Sequence, residues 1–335
     1  MKLKHLSMAA ALAALSLPAA AQTKLRVGDS LPVGHFFVEQ ATKFWMEEVK
    51  KATNRAVDFE YYPAEQLGKA KDLLTLTQSG VIDIGYVVPS YVSDKMPLTA
   101  VAELPGTFPT SCAGTMAFWK LARGEGMLAK REYDPNNVKI LWAIVMPPYQ
   151  IFSANRKLEN LKSFEGMKLR TAGGAMEATV GKLKGVPVRM SAPELHESLS
   201  RGTVDGMVFP SASVLAYDLG GLVKSATAGE NFGSAVLTYL ISNNRFNAMT
   251  PAVRKAMLDA GDEATKRACA YADKEVDSDL AKIRQKGATV GPLPASEQAA
   301  MKPLMAQVRA DWAAQLDKRG RPGSDLLKAF EAAMK

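Results

Sequence analysis

Apolar residues recur along this chain with periods of two or of three to four, and the two periods divide it into strands and helices. Residues 24–28 (Lys-Leu-Arg-Val-Gly) predict a first strand. After a loop from Asp29 to Gly34, Phe37, Ala41, Phe44, Trp45 and Val49 share one face of a predicted helix. Val57, Phe59 and Tyr61 alternate as a second strand, Pro63 and Gly68 mark a turn, and a helix is expected over about 69–79. Val81 to Val88 is an apolar run, the pattern of a buried strand. This β-α-β-α-β order predicts an α/β fold with a mainly parallel sheet and helices on both faces.

A second set of α/β units follows. Lys139 to Val145 reads as a buried strand, and Pro147-Pro148 behind it is a candidate crossover between domains. A short strand ends at Arg170, a helix is expected near 175–184, and Val186 to Met190 is the next strand. Ser191-Ala192-Pro193-Glu194 is a capping box with proline in the first turn, so a helix starts there and ends near Gly202. Val204 to Phe209 is a further strand. Thr250-Pro251 opens a helical pattern that runs to Gly287 with Gly261 as its one internal interruption. A helix of that length is roughly 50 Å long, enough to brace two domains. The tail from Ser296 is helical, broken at Gly320-Arg321-Pro322-Gly323. The expected division is domain I over 22–146 plus about 234–273, and domain II over 147–233 plus about 274–335.

The N-terminus changes the picture of where this fold works. Met1-Lys2-Leu3-Lys4-His5 is basic, Leu6 to Leu17 is apolar, and Pro18-Ala19-Ala20-Ala21 is a small-residue cleavage site. The apolar run is too short to span a bilayer. Residues 1–21 are therefore expected to be a removed signal peptide, leaving a soluble, exported protein, which the family resemblance below places in the periplasm. Loss of Lys2 and Lys4 takes two from the formal charge of +8. The remaining basic residues are dispersed among acidic ones, which argues against nucleic acid as a partner. A mild positive field suits an anionic small molecule. The two cysteines, Cys112 and Cys269, are permitted to pair in an oxidising compartment, although cysteines so far apart are more often simply buried. No His/Cys/Asp cluster has metal-ligand spacing, and no cofactor is expected.

Arg170 is the candidate with the clearest chemistry. It follows Gly166-Met167-Lys168-Leu169, whose alternation makes a half-buried strand, and precedes Gly173-Gly174. An arginine at the end of a strand stands where open α/β sheets bind ligands, and its guanidinium takes a carboxylate by two parallel hydrogen bonds.

The chain also resembles the DctP-type solute-binding proteins of TRAP (tripartite ATP-independent periplasmic) transporters over nearly its whole mature length. The resemblance rests on Tyr62-Pro63-Ala64-Glu65-Gln66-Leu67-Gly68, Gly80-Val81-Ile82-Asp83-Ile84-Gly85, Leu104-Pro105-Gly106-Thr107-Phe108, Leu161 to Arg170, Glu194-Leu195-His196-Glu197-Ser198-Leu199, and Gly202-Thr203-Val204-Asp205-Gly206. It implies a two-domain, periplasmic-binding-protein-like fold with crossing strands and a long domain-spanning helix. It further implies closure on an organic carboxylate clamped by Arg170, and delivery to the membrane permease subunits of a TRAP transporter. Against the sialic-acid-binding members, Gln150 stands where a second arginine would be. Phe209 stands before Pro210 where many members have asparagine, and Ala70 and Val88 fall on polar cleft positions. Buried hydroxyls without partners are costly, so these departures predict an aromatic or apolar monocarboxylate in preference to a sugar acid. Phe209, Gln150 and Val88 are thus candidate ligand contacts. Tyr86 and Tyr149 are candidates for stacking, and Ser30 for donating a hydrogen bond. His35 reads as a loop or helix-start residue.

One alternative reading is catalytic. Gly28-Asp29-Ser30-Leu31 spells the string of the GDSL serine esterases, with Ser30 as nucleophile. Those enzymes also need an Asp-x-x-His segment near the C-terminus. No histidine follows His196, and no aspartate lies three before it. A serine without a positioned base is not activated.

Overall fold

The computed structural model describes residues 22–335, and the expected signal peptide lies outside them. The first half of the chain builds β1 (Thr23–Gly28), α1 (Lys43–Ala52), β2 (Val57–Tyr62), α2 (Leu73–Gln78), β3 (Ile84–Val87), α3 (Ser111–Ala122) and β4 (Val138–Val145). After the Pro147-Pro148 pair come β5 (Gln150–Ser153), β6 (Lys168–Thr171), α4 (Ala175–Lys182), β7 (Val186–Arg189), α5 (Leu195–Ser200), β8 (Gly206–Phe209), α6 (Ser211–Ala216) and β9 (Ser225–Thr227). The chain then returns through β10 (Val236–Ser242), α7 (Asn243–Asn247) and α8 (Pro251–Gln285), and finishes with β11 (Thr289–Gly291), α9 (Ala295–Lys318) and α10 (Gly323–Ala333).

These strands form two sheets, ordered β2-β1-β3-β10-β4 and β11-β9-β5-β8-β6-β7. In the first, β1 lies parallel between β2 and β3, and β10 runs antiparallel to β3 and β4. In the second, β6 lies parallel between β7 and β8, and β5 runs antiparallel to β8 and β9. The antiparallel strands β5 and β10 are the ones the chain enters after each crossing between the sheets. The crossing segments lie side by side, joined by Met146 N–H to Ala235 O (3.0 Å), Tyr149 N–H to Gly233 O (2.9 Å) and Phe232 N–H to Tyr149 O (3.2 Å). One apolar core runs from the first sheet, with Leu25, Val27, Trp45 and Ile84, onto one face of the second, with Leu169 and Val208, and a smaller core of Phe152, Leu195, Met207 and Ile283 covers the other face of the second sheet.

The long helix forms as the sequence predicts. Thr250 accepts from Val253 N–H at 3.3 Å, proline occupies the first turn, and 35 residues follow. Along its length α8 packs on α1, α3 and β4 of the first lobe and on α6 and β11 of the second. Gly261 is required there, because a Cβ would run into the Leu141 carbonyl of β4. Cys112 and Cys269 do pair, with Cα atoms 4.8 Å apart, linking α3 to α8. The sequence leaves this open because only helix packing brings residues 157 apart together. Asp273 of α8 reinforces the join by accepting Ser111 N–H (2.6 Å) and Cys112 N–H (2.9 Å) at the start of α3.

Two predicted elements are shorter than expected. The Glu65 carboxylate accepts Ala70 N–H at 2.8 Å and holds residues before Leu73 in turns, so α2 does not begin at 69. Val81 follows Gly80 at positive φ and is 50 % exposed, so the strand begins only at Ile84. The tail packs on both lobes, α9 against α4 and α10 against α3. Among the described residues no helix is long and apolar enough to cross a membrane.

Candidate ligand site between the lobes

Arg170 is the third residue of β6, between buried Leu169 and Thr171. Its parallel pairing with Met207 sets Phe209 two residues further along β8, on the same side of the sheet. The guanidinium carbon lies 5.0 Å from the centre of the Phe209 ring, a cation–π distance. Arg170 Nε donates to Met190 O at 3.1 Å, and Nη2 makes a long 3.4 Å contact to the Tyr91 hydroxyl. The residue is 1 % exposed, and no salt bridge among the described residues involves it. A guanidinium has five N–H donors, so three remain without partners among the described residues, in a buried site. An uncompensated buried charge is costly, and an anion is the group that would relieve it.

Aromatic side chains surround this cation. The Phe209 ring lies 6.4 Å from Tyr149 and 6.1 Å from Tyr217, and Tyr217 lies 6.1 Å from His35. Tyr86, at the end of β3, packs edge-on against Tyr239 at 5.5 Å. Burial pushes the phenols of Tyr86, Tyr149 and Tyr217 well above their ordinary range, although Arg170 pulls the last two back. All three stay protonated, and their hydroxyls make no hydrogen bond among the described residues. Tyr61 and Tyr239, by contrast, both donate to Asp29.

The other sequence candidates divide. Val88 is buried and leads into the turn Pro89–Val92. Gln150 is buried but fully committed: Nε2 donates to Glu230 O (2.6 Å) and Pro148 O (3.3 Å), while Oε1 accepts from Thr227 Oγ1 (2.9 Å) and Glu230 N–H (3.3 Å). It fastens β5 to the returning crossing segment and keeps no capacity for a ligand. Ser30 is buried next to Asp29, and no hydrogen bond among the described residues joins it to a histidine. His35 accepts Phe37 N–H on Nδ1 at 3.2 Å, and His196 is exposed on α5. The geometry therefore lends the esterase reading no support.

Three residues, Tyr217, Tyr91 and Arg189, escape the sequence reading. Tyr91 and Arg189 meet at the cleft, where Arg189 Nη2 donates to Tyr91 O (2.6 Å) and Ser90 O (3.2 Å). Tyr91 stands just past a strand end, the same cue that singles out Arg170, but its partners lie in the other lobe. His35 does sit at a helix start, yet it is 2 % exposed, burial lowers its pKa to about 3, and its Nε2 has no partner among the described residues. Neither of two hollows beside these residues has Arg170 in its lining. One of about 480 Å³ is lined by Ser93, Gly174, Lys182, Trp312 and Arg319, and one of about 290 Å³ touches Lys71, Tyr91, Arg189 and Met190. The smaller bears on the site, because Met190 and Tyr91 are the groups that hold Arg170.

Comparison with known proteins adds the family. Residues 27–315 match the model of DctP, bacterial extracellular solute-binding protein, family 7. The C4-dicarboxylate-binding periplasmic protein DctP of Rhodobacter capsulatus is 28 % identical over 98 % of this chain and 95 % of its own. The fold superposes on a TRAP solute-binding protein from Rhodoferax ferrireducens T118 in complex with benzoate, with a TM-score of 0.86 at 23 % identity, covering 93 % of this chain and 97 % of the other. It also matches a TRAP periplasmic solute-binding protein from Bordetella bronchiseptica with bound mandelate, with a TM-score of 0.84 at 21 % identity, covering 93 % and 98 %.

Proposed function

The chain belongs to family 7 of the bacterial extracellular solute-binding proteins, the DctP family that its motifs resemble, and from that premise we propose that it captures an organic acid anion between its lobes and passes it to a TRAP permease. The observation that carries this reading is Arg170, a buried cation with three unused donors and an aromatic ring on its face. A carboxylate supplies both the countercharge and the acceptors it lacks. The protein works in the periplasm in this reading and performs no chemistry. The lobes are 22–146 with about 234–273, and 147–233 with about 274–335.

The ligand class we favour is an aromatic or largely apolar monocarboxylate. Phe209, Tyr149, Tyr217 and Tyr86 offer ring surface, where each buried methylene-sized group contributes about 0.8 kcal/mol. A second carboxylate would need a second uncommitted cation. Gln150 has no capacity left, and Arg189, exposed and with Nη2 on two backbone carbonyls, does not need a countercharge as buried Arg170 does. The benzoate and mandelate bound by structurally similar proteins are of the favoured class, and the dicarboxylate of the Rhodobacter relative is the contrasting case. A thermal-shift panel on the mature protein should include benzoate, mandelate, succinate and sialic acid. Benzoate or mandelate at 100 times its Kd should add about 2.7 kcal/mol of stability. Stabilisation by sialic acid or succinate alone would reverse the ligand class.

A further inference from the structure

Every polar contact between the turn Pro89–Val92 and the second lobe has its donor on the second lobe and its acceptor on the turn. Arg189 donates to the carbonyls of Ser90 and Tyr91 at 3.2 and 2.6 Å. The Tyr91 hydroxyl oxygen accepts Ala192 N–H at 2.9 Å and faces Arg170 Nη2 at 3.4 Å. The approach is tight: a Cβ on Gly173 would lie 2.6 Å from Ser90 O and 2.8 Å from Arg189 Nε. A phenol oxygen has two lone pairs and one proton. Here both lone pairs face N–H groups of the second lobe, and the proton has no acceptor among the described residues. Arg170, beside it, has unused donors as well. One anion between them would satisfy both.

We propose that Tyr91 is a ligand-binding residue brought in by closure, donating its O–H to the carboxylate held by Arg170, with Arg189 as the residue that positions it. This rests on the reading of Arg170 as the carboxylate site. In the open form the anion meets Arg170 alone. Closure adds the Tyr91 hydroxyl from the opposite lobe, and Arg189 fixes the turn that carries it. Tyr91 therefore governs how long the anion stays, while Arg170 governs whether it binds at all.

Stopped-flow binding kinetics on the mature full-length protein, with benzoate and succinate as probes, test this. Tyr91→Phe keeps the ring and should leave the association rate within about twofold while raising the dissociation rate by about 10- to 100-fold, the worth of one hydrogen bond to a charged group. Arg189→Ala should raise dissociation in the same direction with Tyr91 intact, and Arg189→Lys should recover part of the loss. A merely structural role for Arg189 would instead lower the melting temperature of the unliganded protein and leave the rates unchanged. Unchanged dissociation in a folded Tyr91→Phe protein, with binding still abolished by Arg170→Ala, overturns the role of Tyr91 and leaves the reading of Arg170 standing. Absence of binding to both probes by the wild-type protein removes that reading and this inference with it.

Discussion

The two lobes repeat one arrangement and use it differently. In each sheet a central strand, β1 or β6, lies between two parallel neighbours, with an antiparallel strand beyond one of them. Each central strand brings a charged residue to its C-terminal end, and each of those residues is 1 % exposed. The difference is in what the charge touches. Asp29, just past β1, accepts Leu31 N–H at 2.8 Å, the Tyr61 hydroxyl at 2.8 Å and the Tyr239 hydroxyl. Arg170 in β6 uses two of its five donors. Burial of a charge therefore does not by itself mark a binding site. Hydrogen-bonding capacity left over after folding does. Asp29 is part of how the first lobe holds together, and Arg170 is the group we propose the second lobe keeps open for a ligand.

The largest expected effect comes from disturbing the satisfied charge. Asp29→Ala leaves the Tyr61 and Tyr239 hydroxyls without an acceptor in the core, at about 1–3 kcal/mol each, so chemical denaturation should show a loss on the order of 3–5 kcal/mol. Ligand affinity, measured below the lowered melting temperature, should stay close to wild type. A loss of affinity with unchanged stability would place Asp29 in the site and end the contrast.

A smaller effect follows from pH. Burial raises the Asp29 carboxyl from 3.8 to about 6, against the pull of the hydrogen bonds it accepts. Its folded pKa thus lies above its unfolded value. The folded state binds the proton more tightly, so its contribution to stability is full below about pH 4 and is lost as pH rises through about 6. Relative to Asp29→Asn, the wild type should lose up to about 3 kcal/mol across that window and nothing more above it. Glu103 and Glu132, which burial raises to about 7, carry the same sign to higher pH, and His35, lowered to about 3, carries the opposite one. The difference between the two proteins isolates Asp29, and a flat difference across pH 4 to 6 would contradict the assignment.

The smallest effect tests the apolar side of the site. Phe209→Leu keeps the volume apolar but removes the ring that Arg170 faces at 5.0 Å. Calorimetry should show benzoate binding weakened by about 0.5–1.5 kcal/mol, with an aliphatic acid affected less. Equal losses for both ligands would mean that Phe209 only fills space.

How much of this was legible in the sequence depends on the range of the interaction. Signals confined to a few residues translated directly. The Thr250-Pro251 start, the break at Gly320–Gly323 and the Ser191–Glu194 box, where the Glu194 carboxylate takes Ser191 N–H at 2.9 Å, all stand where the sequence puts them. Strand ends were legible too, which is why Arg170 and Tyr86 could be named, whereas Phe209 came from the family resemblance. Long-range partners were not. Gln150 has the chemistry of a ligand contact, and only the fold brings Thr227 and Glu230, some 77 and 80 residues away, to occupy it. The Cys112–Cys269 pair and the meeting of Tyr91 with Arg189 depend in the same way on how helices and lobes pack.

In the proposed reading, Arg170 carries a charge the fold tolerates only for a ligand. Arg170→Met fills similar space without the charge. The measurement is calorimetric titration of benzoate into wild type and Arg170→Met, with the unfolding free energy of each unliganded protein taken alongside. Affinity should fall by about 2–5 kcal/mol, roughly 30-fold to several thousand-fold, while unliganded stability is unchanged or rises, since an unpaired buried charge has been removed. Benzoate binding at near wild-type affinity, or a stability loss like that expected for Asp29→Ala, would contradict this reading.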